Sequence, residues 1–281
     1  MSESSSRISK HYGSADLESR ILSALKQAGK NVDSLTVEDL APLDQFHTRA
    51  LAATRELIAF ASVKPGLRVL DVGSGLGGPA RVLASEKNCH VTGVDITKEF
   101  CDVATLLSRL TGLERVTDFR HGDATALPLD SSQFDLALTM QIQMNIKDKR
   151  QFYAEIFRVL KPGGRFVFQD IMSGPGGEIH LPVPWATRRD SSFLISVDAL
   201  RDTLREVGFQ IDSLEDTSEA ALAWRRNQPA AAGLAPSPLG LHVVMGEKFA
   251  VMQSNQVRNL EERRVSFVRG ATNKPIPQHA A

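Results

Sequence analysis

The sequence predicts an α/β fold, with a mostly parallel sheet covered by helices on both faces, and three observations carry that prediction. The first is the stretch Val69-Leu70-Asp71-Val72-Gly73-Ser74-Gly75-Leu76-Gly77-Gly78-Pro79-Ala80-Arg81. Its opening, from Arg68 to Val72, is an apolar, β-branched run of the kind that forms a buried parallel strand. The glycines then let the backbone turn sharply and approach a ligand with no Cβ in the way, and Pro79 suits the first turn of a helix. The second observation is that short apolar runs alternate with amphipathic helical stretches down the chain. The third is Asp95, which ends the next strand at its carboxyl edge, where open α/β sheets bind ligands. Strand, glycine loop and helix read together as a cofactor cradle.

At 281 residues the chain can bury roughly 75% of its unfolded surface in one core. Its 33 basic and 33 acidic residues cancel, and there is no basic tract, so no nucleic-acid-tracking surface and no membrane attraction are expected. Cys89 and Cys101 have neither metal-ligand spacing nor a disulfide framework. The histidines are scattered, so no metal site is expected. Met1 to His11 is polar and Ser-rich without an apolar core, unlike a secretory signal, and no apolar run approaches the length of a membrane span. A soluble, cytoplasmic protein is expected; its oligomeric state is not encoded legibly.

Gly73, Gly75 and Gly78 also satisfy G-x-G-x-x-G, with Asp95 about where a dinucleotide's ribose-binding acid belongs. Asp71 weighs the other way: ahead of the glycines, a carboxylate would face a pyrophosphate unfavourably but could hold a cationic ammonium. Val69–Gly75 resembles the first motif of class I S-adenosylmethionine (SAM)-dependent methyltransferases, hydrophobic-hydrophobic-Asp-x-Gly-x-Gly. Val159-Leu160-Lys161-Pro162-Gly163-Gly164-Arg165 is similar to the turn before the fifth strand of that superfamily, and the spacing of the two makes the resemblance specific. It implies a Rossmann-like, seven-stranded, mostly parallel sheet with SAM as cofactor. The domain organisation then expected is an N-terminal helical cap at 1–61 and a methyltransferase domain at 62–281, with substrate-lid insertions at about 172–196 and 218–262.

Within the cap, Leu17, Ile21, Leu22, Leu25 and Leu35 give a helical pattern broken by Gly29 and Asn31. Ala41 to Arg49 reads as a loop, with Thr48 capping a helix that runs through Ala61. His11-Tyr12-Gly13 and Asp44-Gln45-Phe46-His47 resemble cap segments of small-molecule methyltransferases, among them enzymes of sarcosine and dimethylglycine, phosphoethanolamine and sugar hydroxyls. There such segments fold over the cofactor, which implies His47 at the cofactor and His11 and Tyr12 near the chemistry. The other reading is a helical decoration whose His and Tyr are simply packed.

Beyond the glycine loop, where Asp71, Gly73, Ser74 and Gly75 are expected at the cofactor, a helix from Pro79 to about Lys87 precedes a strand over His90–Asp95. The resemblance implies that Asp95, beside Ile96, accepts the ribose hydroxyls; its alternative is a cap for the helix begun near Thr97. A helix over Phe100–Leu110 and a strand over Arg115–Arg120 lead to Asp123 and Ala124. In similar enzymes these meet the adenine amino group and ring, the alternative being a turn-forming Asp. His121 reads as a structural or rim residue. A fourth strand, Gln133–Met140, ends in Gln141-Ile142-Gln143-Met144-Asn145-Ile146. Here Gln141 is assigned to the cofactor, Gln143 and Asn145 to orienting an acceptor and Met144 to the pocket wall, unless the amides merely cap the helix from Asp148 to Leu160.

A fifth strand over Arg165–Ile171 precedes the irregular stretch Met172–Ser196, where Trp185 faces substrate or anchors the packing. A helix over Ser196–Val207 and a strand opening at Gly208–Ile211 follow. The second insertion, Ser218–Glu262, holds Trp224, Arg225, Arg226, an Ala/Pro/Gly linker and a helical run from Leu241 to Leu260. It resembles the lid of sarcosine- and dimethylglycine-type enzymes and comes before a last strand near Val265–Arg269.

Methyl transfer from a sulfonium is an in-line displacement, and aligning its partners in a dry pocket can supply roughly 7–11 kcal/mol. A base is needed only for an acceptor that binds protonated. His11, Tyr12, His47 and His242 are the candidates, His242 being placed at the substrate. The expected activity is SAM-dependent methylation of a small molecule, on an amine nitrogen as in sarcosine or dimethylglycine, or on the oxygen of a natural product. An NAD-dependent oxidoreductase and a SAM-binding protein without catalysis remain open readings.

Overall fold

The computed structural model describes residues 16–227, 237–246 and 248–277. Three helices, α1 (Leu17–Gln27), α2 (Val37–Asp44) and α3 (Ala50–Phe60), precede β1 (Arg68–Val72), α4 (Gly78–Lys87), β2 (His90–Asp95), α5 (Lys98–Leu110), β3 (Thr117–His121) and β4 (Phe134–Met140). A 3-10 turn at Gln143–Asn145 leads to α6 (Lys149–Val159) and β5 (Leu160–Ser173), and a second at Arg189–Ser191 to α7 (Val197–Val207), β6 (Gln210–Asp216), α8 (Ser218–Arg226), α9 (His242–Met245), α10 (Phe249–Glu261) and β7 (Val265–Asn273).

The strands form one seven-stranded sheet in the order β3-β2-β1-β4-β5-β7-β6. Strands β1 to β5 pair in parallel, and β7 runs antiparallel to both β5 and β6. The expected seven-stranded, mostly parallel sheet is therefore present. Both of its faces are covered, which is why Val69 to Val72 are all buried. Leu70 and Val72 pack with Phe152 and Ile156 of α6 and Leu200 of α7, while Val69 packs with Leu57 of α3 and Leu83 of α4. A third cluster joins Leu17, Ile21 and Leu40 of the N-terminal helices to Phe100, Val103 and Leu107 of α5 and to Val244 of α9.

Several local expectations are corrected. The stretch read as a loop from Ala41 begins inside α2, which also contains Pro42. Thr36 starts that helix with a capping box: its hydroxyl accepts from the Asp39 N–H at 3.2 Å, and Asp39 accepts from the Thr36 N–H at 2.9 Å. Thr48 does not cap α3. The N-cap is Arg49, in the left-handed region at φ 72° and followed by Ala50 at φ 44°. Thr48 instead donates its N–H to Gln141 Oε1 at 3.4 Å and accepts from Gln256 Nε2 of α10 at 3.3 Å. The helical run expected over Leu241–Leu260 is broken at Gly246, where φ is 77°. The linker tract at 228–236 lies outside the described residues.

One ion pair fixes the N-terminal helices to the sheet. Arg81 of α4 donates to Asp44 Oδ2 at the end of α2 over 2.8 Å, with both side chains fully buried. The same guanidinium donates to the Leu76 carbonyl in the glycine loop and, on α5, to the Ala104 carbonyl at 3.2 Å and Ser108 Oγ at 3.4 Å. Gly78 lets the two helices meet, since a Cβ there would lie 2.5 Å from the Asp44 carbonyl oxygen. Replacing Arg81 by Met leaves the Asp44 carboxylate buried without its partner. The expected loss is roughly 3–5 kcal/mol, read as a lowered urea midpoint, and part of it should return in the Asp44→Asn/Arg81→Met double variant.

Candidate functional site

The cradle is built where β1 and β2 end. Gly73 has φ 74°, and a Cβ on it would fall 2.4 Å from Ile142 Cγ2, so both conformation and contact demand glycine. The Gly73 N–H donates to the Val94 carbonyl at 2.7 Å and so stitches the loop to β2. Asp95 grips the loop from the other side. Its Oδ2 accepts from the Gly75 N–H and its Oδ1 from the Thr97 N–H, each at 2.8 Å. Burial raises the Asp95 carboxyl above its usual range, and these two N–H groups pull against that rise.

Asp71, at the carboxyl end of β1, is the less compensated of the two acids. It is 1% exposed, and its Oδ2 has no hydrogen-bond partner. Burial, with the Asp95 carboxylate second, pushes it up to about 7. Ser74 Oγ, also buried, has no partner either. Two buried carboxylates that repel one another suit a cationic ligand and oppose a pyrophosphate. The residues therefore fit the ammonium of SAM and disfavour the dinucleotide reading of the same glycines.

A cavity opens beside the cradle, at the carboxyl ends of the strands. Gly73, Gly75, Asp95 and Ile96 line it together with Asp123, Ala124 and Gln141, and so do Met144, Asn145 and Trp185. Asp123 also closes its own turn, accepting from the Thr125 N–H at 2.9 Å and hydroxyl at 2.7 Å. Gln141, at φ 57°, keeps a buried Nε2 without an acceptor. Trp185 both lines the cavity and anchors its loop: its Nε1 donates to Ser192 Oγ at 2.9 Å, and its carbonyl accepts from Asn145 Nδ2 at 2.8 Å.

Gln143 behaves differently from its sequence assignment. Its side chain lies in the core, fully buried, donating from Nε2 to the Ile171 carbonyl and lining neither this cavity nor the next. The 3-10 turn is held from below by two groups that no sequence motif singles out. Asp170 Oδ1 accepts from the Gln143 N–H at 3.1 Å, and Lys149 Nζ donates to the Gln143 carbonyl at 2.5 Å and to that of Ile146. Burial pushes Lys149 down to about 7 and Asp170 up to about 7. Gln143 thus positions the turn from which Met144 and Asn145 reach the cavity.

A second cavity, of about 630 Å³, adjoins the first and shares Phe46, Pro184, Leu241 and Phe249 with it. His47 and His242 line this second cavity, so His47 stands on its side of the shared wall and not at the cofactor cradle. The His47 ring is engaged through Nε2, 3.0 Å from the Ala50 carbonyl and 2.9 Å from Thr54 Oγ1. Burial pushes it down to about 4, so it is neutral at neutral pH. His11 and Tyr12 lie outside the described residues. Phe46 was not assigned a site role from the sequence. Its ring lies 3.4 Å from where a Gly75 Cβ would stand and meets Phe100 edge-on at 5.5 Å. The available signal was its place in the Asp44–His47 segment. Among the described residues no group of His, Cys, Asp and Glu could hold a metal ion, and no helix is long and apolar enough to cross a membrane.

The family model for a methyltransferase domain matches residues 70–168. The 24-methylenesterol C-methyltransferase 2 of Arabidopsis thaliana is 31% identical over 169 residues, covering 58% of this chain and 47% of that protein. The glycine/sarcosine/dimethylglycine N-methyltransferase of Actinopolyspora halophila is 28% identical over 178 residues, covering 63% of this chain and 32% of that protein. The chain thus spans about half the length, or less, of these curated relatives. Among solved structures, the geranyl diphosphate C-methyltransferase of Streptomyces coelicolor A3(2), in complex with S-adenosyl-L-homocysteine, has a similar fold. Its TM-score is 0.68 at 15% identity, covering 97% of this chain and 98% of that one. Glycine motif, sheet order and family match agree: residues 70–168 are similar to a methyltransferase domain.

Proposed function

We propose that this chain binds SAM in the first cavity and methylates a small molecule held in the second. The observation that carries the reading is the pair of buried carboxylates at the glycine loop, one with an unpartnered oxygen, beside a chamber with none among its described lining residues. Bound SAM would supply a methyl group on a sulfonium. Asp71 would hold its ammonium, Asp95 its ribose hydroxyls, and Asp123 with the Ala124 N–H its adenine. Phe46 and Pro184, common to both cavities, would exclude water between donor and acceptor. What the chain contributes is mainly alignment.

The acceptor atom favoured by the lining is a hydroxyl oxygen. No Asp or Glu is among the described residues that line the second cavity, so a protonated amine would meet no counter-charge from them. The cavity's size also falls among those of roughly 300–1,000 Å³ that enclose drug-sized ligands, well beyond the needs of sarcosine. Methylation of a small amine therefore becomes the second reading. With the His47 ring engaged and kept neutral, His242 is the group we assign to take the hydroxyl proton.

The deciding experiment is calorimetry with SAM, S-adenosylhomocysteine and NAD, followed by single-turnover assay and product analysis. Micromolar binding of the first two with none of NAD is expected, and methyl ethers should outnumber methylamines among products. Binding without turnover of any acceptor would leave a non-catalytic SAM-binding protein.

Asp71 makes the binding pH-dependent. Its folded value of about 7 stands above the ordinary 3.8, so the folded state keeps a proton that the unfolded chain releases. Stability of the unliganded protein should fall as pH rises between those values, while SAM affinity rises as Asp71 ionises. Asp71→Asn should remove both slopes, raise the Tm of the unliganded protein at pH 8, and weaken SAM by about tenfold to a hundredfold. His242→Gln should lower kcat for a hydroxyl acceptor by roughly 100- to 10,000-fold with SAM affinity unchanged, since His242 lines only the second cavity.

A further inference from the structure

The second cavity's walls are unlike in character. One part is apolar, with Pro42, Ala221, Leu222, Val257, Leu260 and Phe267. Among the described residues, the ionisable groups in the remainder are all basic: Arg49, Arg225, His47 and His242. The arginines differ in how their charges are met. Arg49 is paired with Glu56. Arg225 and Arg226 both sit in the last turn of α8, where a cation suits the helix dipole. Arg226 pairs with Glu219 at 3.3 Å, whereas Arg225 has no carboxylate partner among the described residues. The chamber wall therefore carries an exposed guanidinium with no carboxylate partner and no acid among the described lining residues, beside a surface that gains from covering by hydrocarbon.

We infer that the ligand of this chamber is an amphiphile, an apolar body ending in an anionic group that Arg225 receives. The inference rests on the methyl-transfer reading only in calling that ligand the acceptor. Its apolar part lies along Leu222, Val257 and Phe267, and its anion sits at a wall the cofactor cavity does not share, since Arg225 lines the second cavity alone. The reactive end is thereby directed toward Phe46 and Pro184. A guanidinium holds carboxylate and phosphate groups alike through its fork of N–H donors.

The test uses three probes that share one chain length and differ in head group: dodecanoate, dodecanol and dodecyltrimethylammonium, each titrated into the full chain below its micellar concentration. Calorimetry should rank dodecanoate tightest and the ammonium weakest. Trp224 lines the chamber and is one of two tryptophans in the sequence, so dodecanoate should change the emission and Trp224→Phe should abolish the change. Arg225→Gln should weaken dodecanoate by about three- to tenfold and leave dodecanol as it was. Dodecyltrimethylammonium binding as well as dodecanoate, or an unchanged dodecanoate affinity in Arg225→Gln, would overturn the proposal, and the ranking in the unmutated chain stands whether or not a variant folds. Titration with S-adenosylhomocysteine is kept separate: its failure to bind, with the dodecanoate ranking intact, would strike the methyl-transfer reading and leave the ligand class standing.

Discussion

The buried contact between Arg81 and Asp44 is the constraint on which the site's shape depends. It joins the end of α2 to the start of α4, and through the Leu76 carbonyl it also holds the glycine loop. The chain leaves Asp44 directly into Gln45, Phe46 and His47, so wherever the ion pair puts Asp44, the wall between the two cavities follows. A buried pair of this kind recovers its desolvation cost only when its remaining polar atoms are satisfied, and here Arg81 Nε and Asp44 Oδ1 have no partners. Its contribution is accordingly to geometry more than to stability: it specifies one docking of the helices on the cradle.

That docking divides the site electrostatically. On the strand side, Asp71 and Asp95 make a negative cradle in a low-dielectric setting. On the helix side, past Phe46, the ionisable groups among the described lining residues are basic. Opposite charges on the two sides of one wall sort ligands before any detailed contact is made, because each chamber penalises the ion that the other accepts.

Most of the fold was legible because it is written locally. The run Arg68–Val72, the glycines and Pro79 specify strand, turn and helix within a few residues, and the turn before β5 does the same. Errors fell where two local signals competed or where the decisive partner was distant in sequence. At Ala41 to Asp44 the loop reading lost to a helix that the Thr36–Asp39 capping box starts and that runs through Pro42. Thr48 had the chemistry of a cap, but Gln141 and Gln256 claimed it. In the site, Asp71, Gly73 and Asp95 were readable from the motif. The side to which Gln143 points was not, since a 3-10 turn sends its three residues in three directions, here Gln143 to the core and Met144 and Asn145 to the cavity. The Lys149–Asp170 support beneath it spans strands and helices that only folding brings together, and Phe46 gained its place through the Arg81 contact.

Phe46 belongs to both walls at once, packed against the glycine loop on one side and facing the second chamber on the other. If each cavity holds a ligand, as proposed, a side chain in that position touches both of them and would couple the two occupancies. If filling the first cavity settles the ring so that the second binds its ligand more tightly by some factor, thermodynamics requires the second ligand to tighten the first by the same factor. The order in which the two chambers fill is then a property of this partition, and a change at Phe46 would alter their cooperativity even where each separate affinity survived.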